Sequence, residues 1–180
     1  MRLTSGAAVG SGERSRALGD RAGYALRVVA VAIAYTASGK LGLHLASASH
    51  SVTAIWPPTG IALAALVLGG YRLWPGVALG ALLANLNTGV PAVTVLGIVV
   101  GNTLEALTGA FLLRRVGGFR PGLERVRDVI SLVVFGAVIS TIVSASIGVT
   151  SLLIGGVVSW ASVPSLNLLS EGSNLASAIS

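Results

Sequence analysis

Residues 129–149 read VISLVVFGAVISTIVSASIGV. No charge interrupts this run, and it is long enough for a helix to cross a hydrocarbon core of ~30 Å, which takes ~20 apolar residues. Its β-branched residues would suit a strand. A strand of a membrane barrel, however, alternates polar and apolar residues with a period of two, and no such alternation occurs here. The stretch is read as a transmembrane helix, and it sets the solvent against which the rest of the chain is judged.

Composition agrees. The 180 residues are 53% hydrophobic and only 10% charged, with a mean hydropathy of +0.86, whereas an ordinary soluble domain carries roughly 25% charged residues. Cysteine is absent, which removes thiol catalysis, disulfides and thiolate metal sites. Two histidines and six acids offer no nucleophile–base set and no metal-ligand spacing. No enzyme activity, no metal and no cofactor are expected.

Working outward from 129–149, four further stretches meet or approach the length of a span: about Tyr24 to Ala48, Ile55 to Gly70, Leu73 to Leu86 (short), and Ala92 to Leu113. The expected fold is all-α, a polytopic integral membrane helix bundle of five transmembrane helices. From Ser151 to Trp160 a marginal sixth span begins, interrupted afterwards by Pro164, Asn167, Glu171 and Asn174. Three regions follow: a flexible basic cytoplasmic tail (1–23), a membrane domain (24–160) and a polar C-terminal tail (161–180).

The arginines give an orientation. Arg2, Arg14, Arg16, Arg21 and Arg27 precede the first span, Arg72 follows the second, and Arg114, Arg115, Arg120, Arg125 and Arg127 lie between the fourth and fifth. The connections Ser47 to Ala54 and Asn87 to Pro91 have none. By the positive-inside rule the arginine side, with the N-terminus, is cytoplasmic. A pI of about 11.1 is thereby explained by topology rather than by nucleic acid, and the expected partner is the lipid bilayer of a plasma membrane.

Small residues recur inside the spans, as close helix packing in lipid requires. Gly97, Gly101, Glu105 and Gly109 repeat every fourth residue in one helix, and Gly136, Ser140, Ser144 and Gly148 in another, so the two faces are expected to pack on each other. Gly76, Gly80 and Ala84 form a weaker series. At ~1.5 Å per residue from the arginines, Lys40 lies ~19 Å deep, Asn85 ~19 Å, Asn102 ~18 Å and Glu105 ~13 Å. Four polar side chains then share one layer. A charge at that depth costs ~3 kcal/mol or more unless paired, so Glu105 is expected to pair with Lys40, as a register-fixing ion pair or as part of a polar cavity with Asn85 and Asn102.

Three segments go beyond generic membrane patterning: Ile55-Trp56-Pro57-Pro58-Thr59-Gly60-Ile61-Ala62-Leu63-Ala64, Leu73-Trp74-Pro75-Gly76 with Asn85, and Gly101-Asn102-Thr103-Leu104-Glu105-Ala106. In this order and spacing the chain resembles the membrane-associated sensor (MASE) family, first type, of bacterial signalling proteins, over about Arg27 to Trp160. The resemblance implies a sensory membrane domain in a bacterial plasma membrane that passes a signal to a cytoplasmic output domain, to a separate signalling protein, or within a homo-oligomer. Trp56, Pro57, Pro58, Thr59, Gly60, Trp74, Pro75, Asn85, Asn102 and Glu105 match its motifs. Where the family continues with a Trp-rich stretch and an acidic motif, this sequence has Leu166-Asn167-Leu168-Leu169-Ser170-Glu171-Gly172. A truncated or stand-alone module without an output domain is therefore expected. The alternative is a small transporter or pore component using the polar layer.

Overall fold

The computed structural model describes residues 6–49, 56–86, 88–116, 119, 122 and 124–158. The tail 161–180 and the completion of a sixth span lie outside the described residues. Five helices follow in order: α1 (Gly6–Ser49), α2 (Pro57–Gly69), α3 (Trp74–Asn85), α4 (Ala92–Arg115) and α5 (Val126–Ile154). Among the described residues there is no strand.

Among the described residues three helices are long and apolar enough to cross a membrane: Leu18–His44 within α1, and the whole of α4 and α5. This corrects the expectation of five spans. With 13 and 12 residues, α2 and α3 measure roughly 20 and 18 Å at 1.5 Å per residue, well short of the hydrocarbon core. Their ends are written in the sequence. Pro57 and Pro58 open α2, where a missing amide donor costs little; Gly70, at φ 95°, stops it in a conformation that glycine adopts without penalty. One 3-10 turn, Tyr71–Leu73, leads into α3, which has Pro75 in its first turn.

Upstream of the first span, α1 is helical from Gly6 onward and continuous with that span. Adding residues to a formed helix avoids the cost of nucleation, and Ala, Arg, Leu and Glu in this stretch are good helix formers.

The short helices form a hairpin whose closed end lies beside the arginines. Tyr24 Oη donates to the carbonyl of Arg72 (2.9 Å). Arg114 Nη2 donates to the carbonyl of Val67 (2.6 Å), and its guanidinium lies 5.1 Å from the centre of the Tyr71 ring. Arg114 thus satisfies a carbonyl that the end of α2 leaves without an intrahelical partner. These bonds place the start of the first span, the hairpin turn and the end of α4 at one end of the bundle.

Small residues allow the helices to approach. Along α1 the buried positions are Val28, Ala32, Tyr35, Gly39 and Gly42, spaced alternately four and three residues, which keeps one seam facing a neighbour. Against it lies α3: a Cβ at Gly76 would stand 2.7 Å from the Val28 carbonyl oxygen, and one at Gly80 2.6 Å from Tyr35 Cβ. On the other side α4 packs on α5. The interior between is filled by Leu66, Val77, Ala81, Ala110 and Leu113, all without exposed surface.

Candidate functional site

The seam between α4 and α5 is built from glycine against serine. A Cβ at Gly97 would overlap Ser151 Cβ; at Gly101 it would lie 3.4 Å from the Ser144 carbonyl oxygen, and at Gly109 3.3 Å from Ser140 Cβ. Gly136 instead faces the tip of Leu63, 2.9 Å from its would-be Cβ, and Gly148 has no such neighbour within 4 Å. A strict four-residue repeat advances 400° per step in a 3.6-residue helix and drifts off any straight contact line. The seam therefore passes from Ser144 to Ser151, seven residues on, and leaves Gly148 aside.

Over Leu132–Ile139 α5 is a π-helix, a widened turn that often marks functional sites. Beside it a cleft of about 640 Å³ opens between α2, α4 and α5. Its polar wall is Thr59, Asn102, Glu105, Thr141 and Ser144, and the start of α2 closes it with Trp56, Pro57 and Gly60. Glu105 is 5% exposed, and its Oε1 accepts from the Thr141 hydroxyl at 3.0 Å. One turn away the Ser144 hydroxyl donates to Asn102 Oδ1 at 3.4 Å. Both bonds cross from α5 to α4.

Of the four residues expected in one polar layer, the structure brings two together. Asn102 and Glu105 share the cleft. Asn85 is buried but its amide donates to the carbonyl of Ala81 on its own helix (2.9 Å). Lys40 is exposed and makes no ion pair with Glu105. Depth along a helix says nothing about azimuth, and Lys40 sits one residue, about 100°, past the buried Gly39. The motif residues Trp56, Pro57 and Pro58 seat the start of α2 on α1, where Gly42 lies against the Trp56 ring and Gly39 against Pro58. Trp74 is exposed and Pro75 half-buried at the start of α3, away from the cleft.

Two participants escaped the sequence reading. Thr141 looked like one hydroxyl among several, and only the register of α5 singles it out. Tyr35, 1% exposed, has its hydroxyl beside the Trp56 side chain and within electrostatic reach of Glu105. Its place in the 28-32-35-39-42 seam was the available signal. Among the described residues no group of histidines, cysteines and acids could hold a metal ion.

Comparison with known proteins gives one match. The family model MASE1 covers most of the chain, residues 26–170. No curated protein and no solved structure matches.

Proposed function

The chain belongs to the MASE1 family, whose domains are sensory membrane domains of signalling proteins rather than catalytic ones, and from that premise we propose that the cleft around Glu105 is where this domain receives its signal. The observation that carries the reading is the bond from Thr141 to the buried Glu105 carboxylate. It ties α4 to α5 at the cleft wall, so a ligand or proton that competes for this carboxylate acts directly on the packing of two spans. A buried carboxylate inside a membrane bundle is costly without a role, and a signal can shift helix packing only by its differential affinity for two arrangements.

In this reading the arginine-rich end lies in the bacterial cytoplasm, and the change is relayed there to an output domain or partner. The test joins the full chain to a reporter diguanylate cyclase or kinase domain. Glu105→Gln and Thr141→Val should each move basal output several-fold at equal membrane abundance. Output equal to wild type in both variants would overturn the proposal.

A further inference from the structure

A second, smaller cleft of about 280 Å³ continues the first toward the arginine-rich end. Gly60, Leu63 and Leu132 line both, so the two are parts of one groove. Its character changes along its length. The deep part carries Glu105, Asn102, Thr141 and Ser144; the part nearer the arginines is bounded by Val67, Leu113 and Phe119 and is almost wholly apolar. From Glu105 to Leu113 the groove follows eight residues of α4, about 12 Å, the reach of an alkyl chain of roughly ten carbons.

The polarity runs against that of a phospholipid, whose headgroup sits at the membrane rim and whose tails fill the centre. An occupant that fits must carry its polar group deep and its hydrocarbon toward the rim. The chemistry of the deep end narrows that group. The hydroxyls of Thr141 and Ser144 are already spent on Glu105 and Asn102, so the carboxylate lines the space beside the Asn102 amide and the Thr59 hydroxyl and is the one acidic group there. No lysine or arginine among the described residues forms an ion pair with Glu105. Trp56, on the same wall, presents the aromatic surface on which cations are held.

We propose that this groove binds an amphiphilic amine, its ammonium group against Glu105 and Trp56 and its alkyl chain along Leu63 toward Phe119. The assignment rests on the sensory reading of the same cleft but is tested separately from it. Gly60 offers a place to block: a Cβ there meets nothing within 4 Å, so the side chain of Gly60→Leu starts in open space at the junction of the two clefts.

The full chain in phosphatidylcholine nanodiscs is titrated with decylamine, with decanol and decanoate as probes of equal tail length, and its thermal unfolding is followed. Decylamine should give a saturable rise in unfolding temperature; decanol and decanoate should not. Gly60→Leu and Glu105→Gln should each weaken the decylamine response at least tenfold in midpoint. Equal responses to decylamine and decanol would mean partition into lipid only and would overturn the assignment, as would an unchanged midpoint in Gly60→Leu. Decylamine binding with no effect on the reporter output retains the amine site and removes the sensory reading; altered output in Glu105→Gln without decylamine binding does the reverse.

Discussion

Replacing Gly76 by alanine adds one methyl group where α3 crosses α1. The new Cβ would lie 2.7 Å from the carbonyl oxygen of Val28 and 3.0 Å from Val31 Cβ. The first neighbour is backbone and cannot rotate away, so one helix must shift by roughly half an ångström to restore an ordinary carbon–oxygen contact of about 3.3 Å. Overpacking of this kind costs about 1–3 kcal/mol, and removing a glycine from a helix returns up to about 1 kcal/mol. The expected net loss is about 1–2 kcal/mol. Gly60→Ala is the matched control: the same chemical change on α2, with nothing within 4 Å of the new atom, should be neutral or stabilising by a few tenths to about 1 kcal/mol. Unfolding in mixed micelles with increasing denaturing detergent, read by tryptophan fluorescence, compares the two. If Gly76→Ala proves as stable as wild type, the close α1–α3 contact is wrong.

Two further outcomes follow from named bonds. Thr141→Val leaves Glu105 Oε1 without its donor and should cost about 1–3 kcal/mol in the same unfolding experiment, whereas Thr141→Ser, which keeps the hydroxyl, should stay close to wild type. Arg114→Met removes both the bond to the Val67 carbonyl and the stacking on Tyr71. The loss of about 1–2 kcal/mol is local to the hairpin turn, so hydrogen exchange at Tyr71–Trp74 should quicken roughly tenfold while the middle of α4 is unchanged.

The sequence carried the apolar setting and the helical character, because hydropathy and its pattern are properties of the chain itself. It also carried the family through the Trp56-Pro57-Pro58 opening. Azimuth was harder. Lys40 and Glu105 were expected in one layer, yet Lys40 lies off the α1 seam and Glu105 on the inner face of α4. The alternation 28-32-35-39-42 contained that information, since Gly39 and Gly42 mark the contact line and exclude position 40. Span count failed for a related reason. Ile55 to Gly70 is apolar throughout, but proline at its start and the Gly69-Gly70 pair at its end limit α2 to 13 residues. The π-helical turn in α5 had no sequence signal at all.

The seam between α4 and α5, on which the cleft and its proposed sensory role both depend, is tested most directly by a designed disulfide. A Cβ at position 109 lies 3.3 Å from that of Ser140, close to the about 3.5–4.5 Å that a disulfide spans, and the natural chain has no cysteine to compete. In native membranes under mild oxidation, the pair Gly109→Cys and Ser140→Cys should form an intramolecular disulfide nearly to completion, read by mass spectrometry of the digested protein. Leu104→Cys with Ser140→Cys, on the exposed face of α4, should remain reduced. A 109/140 pair that stays reduced, or links only between copies, would contradict the seam and the cleft built on it.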